Sequence, residues 1–216
     1  MKIINLKQGS SDWLKWRRTK ICGSEASSIC GVNPWKSAIE LYEQKIFEIE
    51  QEDNELMARG RALEPIALSK FESEMDEVFF PLVVESSEIE WMGASLDGMT
   101  MDNSQFVEIK CGRSSFKQMQ KGQIIQPYLT QLQHQMAVTG LERCFYYCYC
   151  GDTGVGLCAI VERDNDFIKK MMEKETEFWY FLRALKPPIK SEKIECSNYC
   201  YSMSLLKSNL REELAS

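Results

Sequence analysis

The chain predicts an α/β fold, a central sheet flanked by helices, from three observations. Its hydrophobic periodicity switches from helical to strand-like near the middle and back again. The resulting order is helices, strands, a helical pair, two strands and a helix, which is the pattern of a sheet with helices packed on it. Its 216 residues, 44% hydrophobic and 27% charged, suffice for one core, and a domain of this size buries roughly 70% of its unfolded surface without needing a disulfide or a metal. A single domain is predicted over 1–185. Tandem Pro187-Pro188 should stop the preceding helix and open a tail, 186–216.

The elements follow from local signals. Ser11-Asp12 can cap a short helix carrying Trp13, Leu14 and Trp16, and Ser24 can cap a second through Ala26 and Ile29. Asn33-Pro34 is a turn before a helix over 37–47. Leu56, Leu63, Ile66, Ala67 and Phe71 recur at near-helical spacing and predict a helix over 55–74, with Pro65 kinking or breaking it near Leu63-Glu64. Strands are predicted over 78–85, 93–101 and 106–110. Helices over 114–121 and 126–138 come next, then strands over 143–150 and 154–163. Asp164 or Asn165 caps a last amphipathic helix carrying Phe167, Ile168, Met171, Phe178 and Phe181. In the tail, Leu205, Leu206, Leu210 and Leu214 stand at helical spacing.

Charge and composition narrow the function classes. A net charge of −6 argues against a protein that coats nucleic acid, but not against an enzyme whose basic residues line one channel. His134 is the single histidine, so mechanisms needing two histidines are excluded unless an oligomer shares them. Nine cysteines, an odd number with no secretory h-region ahead of them, read as reduced thiols of a cytoplasmic protein. No apolar run long enough to span a bilayer is expected.

The chemistry-bearing residues sit on the central strands. Asp97 lies in Gly93-Ala-Ser-Leu-Asp97-Gly98, followed by Val107-Glu108-Ile109-Lys110. Strand alternation puts Glu108 and Lys110 on one face, and a hairpin of 93–101 with 106–110 would bring Asp97 beside Glu108. Two carboxylates with a backbone carbonyl between them are hard oxygen ligands suited to Mg²⁺ or Mn²⁺. A lysine two residues on can orient a water or offset charge on a phosphate. Glu64 offers a third acid from a helix, and Gln131 and Gln133 follow in another. Taken alone, an acid-x-Lys triplet is also what a solvated strand face looks like.

Asp97, Glu108 and Lys110 match the PD-(D/E)xK nuclease motif. The wider order Trp13…Arg17…Ser24-Glu25-Ala26, Arg59-Gly…Leu63-Glu64-Pro65, Gly93-Ala-Ser-Leu-Asp97-Gly, Glu108-Ile-Lys110 and Tyr128-x-x-Gln131-x-Gln133, reaching Val161-Glu162-Arg163-Asp164, resembles the lambda-exonuclease or YqaJ-like viral recombinase family over roughly residues 10–185. One departure is Leu96, where the family often has proline, which implies a local backbone difference. The resemblance implies a restriction-endonuclease-like core and a metal-dependent exonuclease that degrades one strand of duplex DNA from the 5′ end. Asp97, Glu108 and the Ile109 carbonyl would hold Mg²⁺ (or Mn²⁺), with Glu64 ligating a second ion or standing in its shell. Lys110 would position the attacking water, supported by Gln131. Arg17 and Ser24 would grip the 5′-phosphate, with Ser95 adding a hydroxyl nearby. Arg59 and Gln133 would be further DNA contacts. A ring-shaped homotrimer threading DNA ends and a single-strand annealing partner are also implied, placing the chain in phage-type recombination within a bacterial host cell.

Independent physics supports parts of that expectation. Arginine suits bidentate phosphate binding, and Ser24 as an N-cap would place free N–H groups at a helix start. Trp13 and Trp16, three apart, read as packing residues, whereas Trp35, after Asn33-Pro34, is the better candidate for touching DNA. Some related nucleases hold an iron–sulfur cluster, but here no Cys-x-x-Cys pair exists, and Cys144, Cys148 and Cys150 share a strand face as small core residues would; Cys196 and Cys200 lie in the tail. His134 reads as structural. The competing functions are a structure- or site-specific endonuclease on the same metal core, and a catalytically silent DNA-binding module.

Overall fold

A computed structural model describes residues 1–49, 54–189, 192–197 and 201–204. Eight strands form one mixed sheet: β1 (Lys2–Ile4), β2 (Ile21–Cys22), β3 (Phe79–Glu85), β4 (Met92–Thr100), β5 (Phe106–Lys110), β6 (Arg143–Cys150), β7 (Val155–Glu162) and β8 (Tyr201–Ser204). Their order is β1-β3-β4-β5-β6-β7-β8, with β2 joined in parallel to β4 at Ile21↔Met92 and Cys22↔Gly93. Along the main path only β5 and β6 run parallel, paired from Val107↔Phe145 to Lys110↔Cys148. A parallel pair needs a crossover, and α5 (Arg113–Gln120) and α6 (Gln126–Thr139) supply it.

The remaining helices are α1 (Ser11–Arg18), α2 (Gly23–Ile29), α3 (Ala38–Ile46), α4 (Glu55–Met75) and α7 (Asn165–Ala184). They build two cores, one on each face of the sheet. The larger gathers Ala26 and Ile29 of α2, Leu129, Leu132 and Met136 of α6, and Phe167, Ile168 and Phe178 of α7 over Leu96, Phe106 and Tyr146. The smaller packs Ala67 and Phe71 of α4 on Phe79, Val107, Ile109, Phe145 and Tyr147. Strand β6 shows why its sequence has so little polarity. Cys144, Tyr146 and Cys148 face the larger core while Phe145, Tyr147 and Tyr149 face the smaller one, as expected of a strand covered on both sides.

Several boundaries differ from the sequence expectation. Ser10, not Ser11 or Asp12, caps α1, its hydroxyl accepting from the Trp13 N–H at 3.2 Å. Ser24 is not an N-cap: α2 begins at Gly23 behind Cys22, and the Glu25 carboxylate takes the Cys22 N–H at 3.0 Å. α4 runs unbroken through Pro65; one missing N–H costs less than the burial that Ala67 and Phe71 gain on the next turns. Asp164 caps α7, accepting from the Phe167 N–H at 2.9 Å. The short strands β1, β2 and β8 carry too few residues for a periodic signal. After Leu185 the chain returns to the domain, with β8 pairing β7 and both amide atoms of Gln126 bonded to the Cys196 backbone at 2.9 Å. The tail leucines 205, 206, 210 and 214, and Cys200, lie outside the described residues. Among the described residues no helix is long and apolar enough to cross a membrane.

Candidate active site

Glu108 is the centre of the site. Its neighbours Val107 and Ile109 turn into the smaller core, so Glu108, 2% exposed, projects to the other face beneath α6. A carboxylate that deeply buried needs donors, and three reach it. Gln131 Nε2 donates to Oε1 at 2.6 Å, Lys110 Nζ to Oε1 at 2.5 Å, and Gln135 Nε2 to Oε2 at 2.6 Å. A carboxylate has about four acceptor directions, so one on Oε2 is left unfilled by these donors. Burial works against the Lys110 charge, but Glu108 and Asp97 outweigh it and raise its pKa. Lys110 therefore stays an ammonium.

Gln135 went unnamed in the sequence reading, although its signal is there: it stands one helical turn, i+4, after Gln131. Gln133 is a correction. It is fully buried, donating to the Glu162 carbonyl and accepting from the Asp164 N–H, both at 2.8 Å. It ties α6 to the β7–α7 junction and cannot touch DNA from there. His134 is buried as well, its ring nitrogens 2.7 Å from Glu175 Oε1 and 3.0 Å from the Gly93 carbonyl.

Asp97 comes to Glu108 through an irregularity in β4. Pairing shifts between Phe80↔Met99 and Leu82↔Leu96, so Asp97 and Gly98 together face the single residue Pro81. Such a bulge re-aims a side chain. The β4–β5 ladder pairs Gly98↔Val107 and Met99↔Phe106, and beyond it the Asp97 carboxylate itself accepts the Ile109 N–H at 2.7 Å. Burial, then the charges of Glu108 and Glu64, push the Asp97 pKa well above the usual carboxylate range. Glu64, on α4, is raised by burial and then by Glu108. The three acids thus share one field, and a fixed positive charge among them would relieve it.

A second cluster lies alongside. Arg17 donates to the Ser24 hydroxyl at 2.9 Å and stacks 4.8 Å over the Trp13 ring, whose indole N–H donates to the Ser95 hydroxyl at 2.8 Å. Ser95 shares β4 with Asp97, and the Gln135 amide reaches the Ser95 carbonyl at 3.4 Å. Gly23, just before Ser24, lies so close to α6 that an added Cβ would stand 3.3 Å from both Gln131 and Gln135. The Arg17–Ser24–Ser95 cluster and the carboxylates are therefore joined through the same two glutamines. Lys45, 2.9 Å from Glu25, balances the acid nearest to Arg17. Since Glu25 caps α2 itself, the polar groups that this cluster presents are the Arg17 and serine side chains and not open helix N–H groups.

Two other expected contacts lie at the rim. Trp35 is 65% exposed, with its ring centroid 6.3 Å from that of Tyr128, and Tyr128 carries Lys110 Nζ 5.1 Å from its own ring. Arg59 and Arg113 both bind Asp152, at 2.5 and 2.8 Å. Trp16 packs against β4, where an added Cβ at Gly93 would lie 2.7 Å from its ring.

Among the described residues no group of three or more His, Cys, Asp or Glu side chains is arranged to hold a metal ion as the side chains stand. The chemistry of the donor set nevertheless fits a hard divalent cation: oxygen ligands from Glu64, Asp97 and Glu108, the first two with pKa values raised by burial and then by the neighbouring acids, with the Ile109 backbone carbonyl next to Glu108 in β5.

Comparison with known proteins places this arrangement. Residues 12–142 match the YqaJ-like viral recombinase domain, a span that contains Arg17, Ser24, Glu64, Asp97, Glu108, Lys110, Gln131 and Gln135, and the chain belongs to that family. It is 28% identical over 181 residues to the YqaJ protein of Bacillus subtilis, covering 81% of this chain and 57% of that protein; the chain spans little more than half of that relative's length. An alkaline exonuclease (LHK-Exo) from Laribacter hongkongensis superposes with a TM-score of 0.72 at 26% identity, over 82% of this chain and 94% of that one. The same enzyme in complex with dAMP gives 0.71. A phage-related exonuclease from Haemophilus somnus shares the fold with a TM-score of 0.59 at 16% identity, over 77% and 94% of the two chains. The fold is that of the PD-(D/E)xK nucleases.

Proposed function

We propose that this chain is a divalent-metal-dependent exonuclease that degrades one strand of duplex DNA from its 5′ end, serving phage-type recombination beside a single-strand annealing protein. The observation that carries the reading is the joint placement of Asp97, Glu108 and Lys110 on two paired strands, with Gln131 holding Glu108 and with Arg17 and Ser24 adjoining. A metal-only binding site has no need of Lys110, and a DNA-binding module has no need of three close-set acids that raise one another's pKa.

Asp97, Glu108 and the Ile109 carbonyl would hold Mg²⁺ or Mn²⁺, with Glu64 available to a second ion. A divalent ion, when bound, supplies an activated water at neutral pH and a Lewis acid for the phosphate oxygens. The chain's own residues do the rest. Gln131 and Gln135 fix the rotamer of Glu108. Lys110, kept protonated, donates to the attacking water or to a non-bridging phosphate oxygen, stabilising charge without taking the proton. Arg17 offers a planar fork to a terminal phosphate, with the Ser24 and Ser95 hydroxyls beside it. Trp35 offers an exposed ring on which a base can stack. A homotrimeric ring in the cytoplasm, with Arg17, Lys36, Arg59 and Lys117 toward its channel, would reconcile an acidic chain with an acidic substrate.

The 5′-phosphate is the discriminating test. Linear duplex carrying 5′-phosphate should be degraded at least tenfold faster than the same duplex with 5′-hydroxyl, the scale of a charge-assisted contact worth about 1.5–3 kcal/mol, and Arg17→Ala should erase that difference. Equal rates on both ends in the wild type would remove the clamp from the proposal.

A further inference from the structure

We propose that Gln8 is a positioning residue for Asp97, its side-chain amide clipping the bulge from which that carboxylate is aimed. The inference rests on the reading of Asp97 as a metal ligand. Where β4 bulges, Asp97 and Gly98 oppose only Pro81, and proline has no N–H to give to the ladder. The missing donors come from outside both strands. Gln8 Nε2 donates to the Leu96 carbonyl at 2.9 Å and to the Leu82 carbonyl at 3.3 Å, using both of its hydrogens on the pair of residues at the edge of the register shift.

The Leu96 carbonyl belongs to the peptide plane that also contains the Asp97 nitrogen. Holding that oxygen sets the orientation of the plane, and with it the direction in which the Asp97 side chain leaves the backbone. That direction is what brings the carboxylate to the Ile109 N–H at 2.7 Å. The same loop then turns at Gly9, whose φ of +80° suits glycine, into Ser10, the cap of α1, the helix that bears Trp13 and Arg17. One short segment therefore holds the backbone before Asp97 on one side and leads to the proposed phosphate clamp on the other. Gln8 touches no substrate in this scheme and acts only through Asp97.

The test uses the full chain with Gln8→Met, which keeps the length of the side chain but donates nothing, and Gln8→Ala beside it. Two titrations are read: the rise in melting temperature of the metal-free protein with added Mg²⁺ or Mn²⁺, and the metal concentration that half-activates strand degradation. Residues that orient a metal ligand typically cost 10–100-fold in affinity or activity when lost, so both midpoints should move up by about tenfold or more in Gln8→Met. Activity should largely return at saturating metal, and binding of 5′-phosphorylated duplex without metal should stay within about twofold of wild type. Asp97→Asn should abolish both titrations, whereas Arg17→Ala should weaken duplex binding and leave the midpoints in place. A wild-type midpoint in Gln8→Met, or activity lost only in proportion to unfolded protein, would overturn the proposal, as would failure of both variants to fold. A wild type that binds metal and cuts no DNA would defeat the nuclease reading alone, because the thermal titration would still report on Gln8.

Discussion

Asp97 and Glu64 are held in the folded chain with pKa values raised above those of an unfolded one. A carboxyl raised on folding binds protons more tightly in the native state, so the stability it costs is full above its folded pKa, shrinks as pH falls below that value, and is gone below its unfolded pKa. The metal-free protein should therefore gain stability as pH falls through the folded titration of these two carboxyls, and added Mg²⁺ should raise its melting temperature most at the alkaline end, where metal does not compete with protons. Asp97→Asn, which keeps an acceptor for the Ile109 N–H, should raise the metal-free melting temperature at pH 8 while ending activity. Differential scanning calorimetry across pH checks both signs; a lower melting temperature in Asp97→Asn would show that the acids do not strain one another. Gln135→Leu removes a hydrogen bond to the buried Glu108 and should cost about 1.5–3 kcal/mol of stability, measured by denaturant unfolding, together with a loss in kcat larger than any change in KM.

At the scale of elements, β4 sets the geometry. Gly98 sits in its bulge where an added Cβ would come 2.8 Å from Phe79 Cβ and 3.0 Å from Val107 Cγ1. Gly98→Ala should destabilise by about 1–3 kcal/mol, as overpacking does, and chemical denaturation would read it. The hairpin of β4 with β5, which sets Asp97 near Glu108, was legible from the sequence because a short turn between two apolar runs leaves few registers. The bulge was not: it depends on Pro81 in the neighbouring strand and on an amide from Gln8, nearly ninety residues away in the chain. Pro65 misled for a related reason, since local chemistry argues for a break while the packing of Ala67 and Phe71 carries α4 on. Gln133 was named from the resemblance, through the Tyr128-x-x-Gln131-x-Gln133 pattern, yet two residues along a helix from Gln131 is about 200° of rotation, which turns it away toward Glu162.

For the whole molecule, 26 basic against 32 acidic residues must be distributed unevenly if duplex DNA is to be held. Arg17, Lys36, Arg59 and Lys117 would line the proposed channel, and phosphate contacts through them would release counterions. The logarithm of duplex affinity should fall linearly with the logarithm of salt concentration, with a slope of about 0.9 for each phosphate neutralised. A salt-independent affinity, by fluorescence anisotropy, would remove the channel picture. The overall architecture was readable from the sequence because the period of the apolar residues turns strand-like at Val78, helical between β5 and β6, strand-like again from Arg143, and helical after Asp164. The oligomeric ring has no such signature in one chain, and its test is the mass in solution.

The most direct measurement compares the wild type with Glu108→Ala on a linear 5′-phosphorylated duplex and on closed circular DNA, each with and without Mg²⁺. The proposed site predicts loss of one strand from the linear DNA alone, only with Mg²⁺, and none with Glu108→Ala. Cutting of the circle, or undiminished degradation by Glu108→Ala, would contradict it.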